Sequence, residues 1–367
     1  MTTEVIARAR TLGVGMVGAG FMARVHTHAA RAAGSRLVAL ASSSAERADA
    51  AAGELGYDAA AADLTALLAD PDIDVVHICT PNASHAAFAR QALEAGKHVV
   101  CEKPLATSTD DARLLAEIAA ARGLTAAVPF VYRFHPMVRE ARARIAAGDA
   151  GRLVSVDGAY LQDWLAAPAD DNWRVDSRVG GPSRAFADIG SHLVDLLEFI
   201  SGERIVRVNA RTRTVHPERA DHAPVDTEDL VAVLVELEGG AVGTLLVSQV
   251  APGRKNGLVV ELSGTETTVR FEQERPEQLW LGRARRSELL DRDAELLAPD
   301  AARLSTLPPG HPMGYQDAFN AFIADAYAAI DGAQPEGLPR FDDGARAVRL
   351  TEAVLESARR GTWTEAR

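Results

Sequence analysis

Three side chains in two separate segments have the chemistry needed to move a proton. Lys103 lies in an E-K-P run at residues 102–104, and Asp188 and His192 lie in a D-I-G-S-H run that begins a predicted helix over residues 188–201. A spacing of four places Asp188 and His192 side by side on one helix face. Imidazole can accept a proton near neutral pH, and an ammonium group can polarise an oxygen. The alternatives are structural: a lysine capping a proline turn, an aspartate capping its own helix, and a packed histidine.

The Asp188–His192 spacing would also suit a helical pair of metal ligands. A metal site needs at least a third ligand, together with partners that orient the ligands. The neighbouring sequence supplies no cluster of His, Cys or Glu, so we predict no metal.

A glycine-rich turn near the N-terminus has the spacing of a phosphate-binding loop. Residues 18–23, G-A-G-F-M-A, fit G-x-G-x-x-G/A after an apolar strand pattern and at a helix start. In this pattern the first glycine permits the turn, the second lets the backbone approach a pyrophosphate, and the last small residue lets the helix pack on the sheet. This context favours dinucleotide binding over a purely structural turn. The expected cofactor contacts are Gly18, Gly20, Phe21 and Met22.

The end of the second strand indicates which dinucleotide binds. An acidic residue there would bind the ribose 2′-hydroxyl and disfavour a 2′-phosphate. This chain has Ser42, Ser43 and Ser44 instead, with Arg47 one helical turn further on. Hydroxyl groups and an arginine suit a 2′-phosphate, because arginine pairs with phosphate through two hydrogen bonds. We therefore expect NADP or NAD, with NADP favoured; the alternative is a helix capped by Ser44 beside a solvated Arg47.

Short apolar runs alternate with helical stretches through the first third of the chain. Strand patterns occupy residues 12–17, 37–41, 75–80, 98–101 and 125–131. Strands separated by helices of this length are typical of a parallel, doubly wound α/β sheet. We predict a Rossmann domain over residues 1–131.

The pattern changes after residue 131. A helix over residues 136–147 is followed by a strand-rich region, in which the double glycine at 239–240 indicates a hairpin. This predicts an α+β domain over residues 132–367 with a large, mostly antiparallel open sheet. Two helices end the chain, and we expect the last one to be able to pack back on the first domain.

Composition and charge argue against several classes of protein. The formal net charge of −12 disfavours nucleic acid and anionic membranes as partners. The sequence has no apolar run of transmembrane length, and residues 1–10 lack the apolar middle of a signal peptide. The two cysteines, Cys79 and Cys101, are expected to be buried strand residues in a reducing cytoplasm.

Four motifs together identify a family. G-x-G-F-M, T-P-N-x-x-H, E-K-P and D-I-G-S-H-x-x-D, in this order and spacing, resemble the glucose–fructose oxidoreductase / inositol dehydrogenase / MocA (Gfo/Idh/MocA) family over nearly the whole chain, nearest to its levoglucosan and inositol dehydrogenases. The resemblance implies hydride transfer between NAD(P) and a secondary hydroxyl of a sugar, anhydrosugar or cyclitol. It also implies a second domain whose open sheet often mediates homodimers or homotetramers.

The resemblance assigns roles that the chemistry supports. Oxidation of a secondary alcohol needs a base for the hydroxyl proton and a group that stabilises the developing alkoxide. His192 is the expected base, with a pKa near its ordinary value of about 6.5. Asp188 is expected to orient the imidazole, while Lys103 polarises the oxygen and relays the proton.

The resemblance also implies further site residues. Besides the phosphate loop, the serines and Arg47, the expected cofactor contacts are Thr80, Pro81, Asn82, His85, Glu102, Lys103, Arg133, Trp173 and Arg174. The expected substrate contacts are Lys103, Asp188, His192, Tyr160, Gln162 and Asp163. Strand alternation places Tyr160, Gln162 and Trp164 on one face and Asp163 on the other, with ordinary sheet packing as the alternative.

Two other functions remain open. One is a regulatory module that binds dinucleotide and sugar without turnover, although a complete Lys103, Asp188 and His192 set argues against it. The other is an enzyme that uses a tightly held NAD only transiently. One segment departs from the family pattern: Gly180 and Gly181 are followed by P-S-R at residues 182–184, where relatives have a glycine-rich run. We expect this change to alter loop shape and selectivity.

Overall fold

Residues 11–367 are described by a computed structural model. Residues 1–10, which hold the start of the predicted first domain and the segment of the signal-peptide prediction, lie outside the described residues. The predicted fold class is confirmed: a parallel sheet is followed by a larger, mostly antiparallel sheet.

The first sheet has the strand order of a Rossmann fold. Its strands are β1 (Gly13–Val17), β2 (Arg36–Ala41), β3 (Ala59–Ala60), β4 (Val75–Ile78), β5 (His98–Cys101) and β6 (Ala126–Ala127). Within residues 11–367 they form a six-stranded sheet in the order β3-β2-β1-β4-β5-β6, and every pair is parallel. The order reverses between β1 and β4, which is where such folds bind dinucleotides.

Helices cover both faces of this sheet. They are α1 (Phe21–Ala32), α2 (Ala45–Leu55), α3 (Leu64–Ala69), α4 (His85–Glu94) and α5 (Thr109–Ala121). The predicted cap of α2 is confirmed, since the Ser44 side chain accepts a hydrogen bond from the Arg47 amide. The short elements β3 and α3 escaped prediction because two-residue strands and single-turn helices have no readable periodicity.

The second sheet is built mainly of hairpins. Its strands are β7 (Leu153–Leu161), β8 (Ile205–Arg213), β9 (Leu230–Leu237), β10 (Val242–Ser248), β11 (Gly257–Gly264), β12 (Thr268–Glu272), β13 (Gln278–Arg283), β14 (Arg286–Asp291) and β15 (Thr364–Glu365). In the described chain the order is β14-β13-β12-β11-β7-β10-β9-β8-β15. Only the β7–β10 pair is parallel there. The predicted hairpin at the double glycine joins β9 to β10.

The remaining helices pack on one face of the second sheet or return to the first. They are α6 (Pro136–Ala146), α7 (Ser177–Gly180), α8 (Ser191–Ser201), α9 (Pro299–Ala302), α10 (Tyr315–Ile330) and α11 (Phe341–Arg360). A π-helical turn over Phe186–Gly190 leads directly into α8. The predicted helix over residues 188–201 therefore begins earlier and with a wider turn than expected.

Both C-terminal helices contact the Rossmann domain. Phe319 and Phe322 of α10 share an apolar cluster with Val25 of α1. Glu352 of α11 accepts hydrogen bonds from the Thr109 amide (2.8 Å) and hydroxyl (2.6 Å) at the start of α5. The end of the chain thus fixes the two sheets relative to each other.

Two features of residues 11–367 bear on other functions. None of the described helices is both long and apolar enough to cross a membrane. In the same range no group of three or more His, Cys, Asp or Glu side chains is arranged to hold a metal ion. Cys79 and Cys101 are free thiols at the ends of β4 and β5.

Candidate active site

The phosphate loop leaves its backbone accessible at the carboxyl end of β1. Gly18 has φ of 114°, and a Cβ there would lie 2.4 Å from the Cys79 carbonyl oxygen. Gly20 caps α1 and has open space on its Cβ side. Ala23 is fully buried, so α1 sits close to the sheet, while Phe21 is 71% exposed beside the loop. The loop has the small residues and free helix amides that a pyrophosphate requires.

The end of β2 carries hydroxyl groups and an arginine on an exposed surface. Ser43, Ser44 and Arg47 are all exposed, and Ser42 is partly so. A guanidinium nitrogen of Arg47 donates to the Ser43 hydroxyl at 3.3 Å. These groups are free to meet a ligand beyond the strand end, as the sequence predicts, but no contact in the protein selects one dinucleotide over the other.

The turn after β4 is tied to other parts of the protein by side chains that were predicted to contact the cofactor. The Asn82 amide donates to the Gly180 carbonyl at 2.8 Å, which joins the two domains. His85 is buried, and its ring nitrogens lie 2.8 Å from the Thr80 carbonyl and 2.7 Å from the Pro104 carbonyl. His85 therefore links the T-P-N turn to the E-K-P turn. The predicted contact of Asn82 and His85 with the cofactor stays a prediction, as does that of Pro81, which is exposed at the turn.

Glu102 belongs to a buried hydrogen-bonded chain. Its carboxylate lies 3.0 Å from His26 Nε2 and accepts the Lys103 amide at 3.1 Å. His26 Nδ1 is 2.9 Å from His77 Nδ1, and His77 Nε2 is 2.8 Å from the Tyr327 hydroxyl. Burial opposes ionisation of Glu102, but the His26 hydrogen bond and the Lys103 charge hold its pKa below the usual value. Glu102 therefore anchors the turn that carries Lys103, and its predicted contact with the cofactor stays a prediction.

Lys103 and Asp188 form an ion pair across the two domains. The ammonium nitrogen lies 2.7 Å from Asp188 Oδ1 and 2.9 Å from the Asp188 carbonyl oxygen. Gln249, at the end of β10, donates to Asp188 Oδ2 at 2.8 Å, and Arg174 Nε lies 3.4 Å from Oδ1. Burial acts against the charge, yet Lys103 and Arg174 hold the pKa of Asp188 well below its usual range. The carboxylate is ionised and fully engaged.

His192 is held without a hydrogen bond. Among the described residues no group bonds to its ring, and Nδ1 is buried without a partner. The Tyr132 and Phe130 rings pack edge-on against the imidazole at 5.1 Å and 5.7 Å between centroids. Asp188, which the spacing predicted as its orienting partner, is engaged by Lys103 and Gln249 instead. The wider π-turn before α8 explains the difference, since a spacing of four stacks side chains only in an α-helix.

The acid–base chemistry of His192 also differs from the prediction. Burial and the nearby Lys103 charge lower the pKa of His192 to about 3. The expectation of a value near neutrality is wrong because it took the imidazole as solvated. His192 is consequently neutral at physiological pH, which is the form that accepts a proton.

The strand β7 ends at Leu161, so Tyr160 lies within it, whereas Gln162, Asp163 and Trp164 follow it and are not sorted by strand alternation. Tyr160 is buried, and its hydroxyl donates to Asn256 Oδ1 at 2.6 Å. Gln162 accepts the indole N–H of Trp164 at 2.9 Å. Asp163 accepts a hydrogen bond from Lys255 at 2.7 Å. Trp164 is 37% exposed, whereas Tyr160 belongs to the buried framework, and the contact of these residues with a substrate stays a prediction.

Arg133 is engaged inside the protein. Its guanidinium pairs with Asp195 through two nitrogens and with Asp343 at 2.8 Å, and its side chain is only 9% exposed. These bonds use Nε and Nη2 of the guanidinium, and the predicted cofactor contact of this side chain stays a prediction. Arg174 instead lies over the Trp173 ring at 4.3 Å while it faces Asp188. This pair therefore lines the catalytic cleft.

The segment that departs from the family pattern is anchored by buried charges. Ser183 donates to Glu228 at 2.7 Å, and the fully buried Arg184 pairs with Asp229 at 3.1 Å. Arg219 is also buried against Asp229, at 3.5 Å. These contacts fix the approach to the Asp188 turn from the start of β9.

Sequence reasoning gave no role to three residues that the structure brings to the site. Gln249 holds Asp188, Tyr132 packs on His192, and Asn256 bonds to Tyr132 and Tyr160. A polar residue at the end of a predicted strand was the available signal for Gln249. Nothing local marks Tyr132 or Asn256, because their partners are distant in sequence.

Comparison with known proteins identifies relatives along most of the chain. A family model described as an oxidoreductase family with an NAD-binding Rossmann fold matches residues 12–130, and one described as a GFO/IDH/MocA C-terminal domain matches residues 138–270. The levoglucosan dehydrogenase of Pseudarthrobacter phenanthrenivorans is 32% identical over 97% of this chain and 98% of its own length. The inositol 2-dehydrogenase of Rhizobium meliloti is 30% identical over 95% and 97%.

Solved structures agree with these relatives. A levoglucosan dehydrogenase in complex with NADH and levoglucosan has a TM-score of 0.91 and 32% identity, covering 97% of this chain and 99% of that chain. An inositol dehydrogenase homolog from Azotobacter vinelandii, complexed with NAD+, has a TM-score of 0.89 and 32% identity, covering 97% and 98%. Both were solved with NAD in one of its redox states, so they give no support to the preference for NADP.

Proposed function

Because the chain belongs to the Gfo/Idh/MocA oxidoreductase family, we propose that it transfers a hydride between a nicotinamide dinucleotide and a secondary hydroxyl of a sugar, anhydrosugar or cyclitol. The observation that carries the proposal is the ion pair between Lys103 of the first domain and Asp188 of the second, in which Lys103 Nζ lies 2.7 Å from Asp188 Oδ1. The same cleft holds His192, which is neutral. A cation and a proton acceptor are the two groups that alcohol oxidation requires.

The residues at the carboxyl end of the first sheet fit a dinucleotide. Gly18 lies so close to the Cys79 carbonyl that a side chain would clash, and Gly20 leaves the helix start open. When bound, the dinucleotide supplies the hydride acceptor. Relatives solved with NADH or NAD+ favour NAD, whereas exposed Ser43 and Arg47 would also accept a 2′-phosphate. We keep both as candidate cofactors, and the choice depends on Arg47.

The protein's own residues divide the proton chemistry. The imidazole of His192, which is neutral in the folded protein, accepts the hydroxyl proton. The Lys103 ammonium stabilises the developing alkoxide. Asp188 holds Lys103, and Gln249 holds Asp188 through its second oxygen at 2.8 Å. In the reverse direction the same imidazole, once protonated, returns the proton to the oxygen.

Reduced-nicotinamide absorbance tests the proposal directly. The purified protein is mixed with NAD or NADP and a panel of inositols, glucose, xylose and levoglucosan. Formation of reduced dinucleotide with one substrate would establish the reaction, the cofactor and the substrate class together. Silence across the panel, with dinucleotide binding still measurable, would favour a regulatory sensor. Dinucleotide retained through purification without net reduction would favour transient redox use.

A lysine pair provides the matched control. Lys103→Ala removes the alkoxide-stabilising charge, and we expect kcat to fall by at least about 1000-fold while dinucleotide binding is kept. Lys97 lies at the opposite end of β5, where it donates to the Asp70 and Ile73 carbonyls, so Lys97→Ala leaves the cleft unchanged. Near-normal turnover of Lys103→Ala would contradict the assigned chemistry.

We also propose that the open face of the second sheet forms an interface between two copies of the chain. The outward side chains of β9, β10 and β14 include Leu234, Val242, Leu246 and Leu289, each at least 41% exposed. Exposed apolar patches of this kind mark protein–protein contacts. Sedimentation should give a dimer or tetramer, and Leu234→Glu should shift the protein toward monomer.

The two free cysteines favour a reducing, cytoplasmic location.

A further inference from the structure

Three polar side chains from separate parts of the chain close a hydrogen-bonded ring beside His192. Asn256 Nδ2 donates to the Tyr132 hydroxyl at 3.2 Å, and the Tyr160 hydroxyl donates to Asn256 Oδ1 at 2.6 Å. The two tyrosine hydroxyls lie 2.6 Å apart. Both tyrosines are buried, at 4% and 2% exposure. The ring joins the segment after β6, the strand β7 and the loop before β11.

The direction of each hydrogen bond follows from a donor outside the ring. The indole N–H of Trp164 can only donate, so the Gln162 atom it meets at 2.9 Å is the amide oxygen. Gln162 therefore presents its NH₂ to Asn256, at 3.1 Å, and the Asn256 atom there must be the oxygen. Asn256 consequently turns its NH₂ to Tyr132. Tyr160 uses its one proton on Asn256, so Tyr132 must donate to Tyr160.

The hydrogen-bonded ring is adjacent to the His192 imidazole, which is held by aromatic packing. No described residue forms a hydrogen bond with His192, whose Nδ1 is buried and unpartnered. Its position depends on packing against Tyr132 at 5.1 Å and Phe130 at 5.7 Å. An aromatic ring can slide or tilt in a cavity unless a polar end fixes it. The Tyr132 hydroxyl accepts one hydrogen bond and donates another, so it fixes the polar end of the Tyr132 side chain.

We propose that Asn256 is a positioning residue that orients His192 through Tyr132. Asn256 and Tyr160 hold the Tyr132 hydroxyl, and the Tyr132 ring then sets the tilt of the imidazole. The same amide accepts a hydrogen bond from Gln162 and is linked through it to Trp164, which is 37% exposed. This role rests on the proposed function, in which His192 accepts the proton.

The orientation of His192 can be measured without any substrate. The protein is labelled with ¹³C-histidine, and the His192 signal is assigned by its loss in His192→Gln. We expect one sharp signal from the His192 imidazole in the native protein, and a broadened or split signal in Asn256→Ala and in Tyr132→Phe. Tyr57→Phe is the matched control, because that buried hydroxyl bonds to Thr27 at 3.1 Å outside the cleft. It should leave the His192 signal unchanged.

Kinetics provides a second readout once a substrate is known. Misplacement of the base lowers kcat, and we expect a loss of about 10-fold to 100-fold in Asn256→Ala and in Tyr132→Phe, with a smaller change in KM. The double variant should be no worse than the poorer single one, because both changes break the same ring. Tyr132→Phe keeps the packed ring, so it decides the matter if Asn256→Ala does not fold.

Each outcome separates this inference from the proposed function. A sharp, unmoved His192 signal in Tyr132→Phe would overturn the positioning role even if the enzyme oxidises a sugar. Kinetic losses that simply add in the double variant would overturn it too. A native protein with no dehydrogenase activity would remove the proposed function, while the histidine signal would still decide whether Asn256 orients His192.

Discussion

The buried imidazole of His192 should make the fold sensitive to mild acid in a way that one substitution reveals. Burial and the Lys103 charge lower its pKa to about 3 in the folded protein, whereas an unfolded chain gives histidine a pKa of about 6.5. Between these values only the unfolded state binds the proton. The stability contributed by the neutral ring is complete above about pH 6.5 and is lost as the pH falls toward 3.

The size of the effect follows from the two pKa values. Each pH unit below the unfolded pKa costs about 1.4 kcal/mol, so at about pH 5 the cost is about 2 kcal/mol. Glutamine cannot take up a proton and is similar in size to histidine, so His192→Gln removes this pH-dependent cost in stability. When both proteins are moved from about pH 7.5 to about pH 5, we therefore expect the free energy of unfolding of the native protein to fall by about 2 kcal/mol more than that of the variant.

Urea unfolding followed by circular dichroism, at both pH values, measures this double difference. Other buried histidines, such as His135, titrate in both proteins and cancel. His311→Gln is the matched control, because it makes the same substitution at an exposed imidazole. If the difference in unfolding free energy between the native protein and His192→Gln did not change with pH, the conclusion that His192 is neutral because it is buried would be refuted.

Three further predictions concern charged groups at the site and the domain junction. Gln249→Leu removes a hydrogen bond to Asp188, so we expect kcat to fall by about 10-fold in steady-state assays. Arg133→Leu leaves Asp195 buried without its cation, and urea unfolding should show a loss of about 3 to 5 kcal/mol. Arg47→Ala should weaken NADP binding by about 10-fold and NAD binding much less, as measured by fluorescence titration.

Each of these has an outcome that would contradict it. Unchanged turnover in Gln249→Leu would mean that Lys103 and Arg174 fix the carboxylate without Gln249. Unchanged stability in Arg133→Leu would mean that the buried ion pair is replaced by other contacts. Equal losses of NAD and NADP in Arg47→Ala would remove the argument that this surface recognises a 2′-phosphate.

The sequence predicted most strands and helices because their signals are local. Apolar runs bounded by glycine and proline gave β1, β2, β4 and β5 to within one or two residues, and Ser44 marked the start of α2. The strands β13 and β14 were missed. Each has only two or three consecutive apolar residues between polar or charged ones, and no glycine or proline marks the turn between them, at residues 284–285.

The sequence by itself determined the phosphate loop and the chemical identity of Lys103, Asp188 and His192, because a tight turn and a reactive group depend on residue type at one place. Tertiary structure alone decided which partners these groups have and how they titrate. Asp188 bonds to Gln249, 61 positions away, and Tyr132 bonds to Asn256, 124 positions away. Burial of His192 arises from packing between two domains, and burial is the main cause of its lowered pKa. No local pattern encodes desolvation, so the acid–base behaviour of the site is a property of the folded chain.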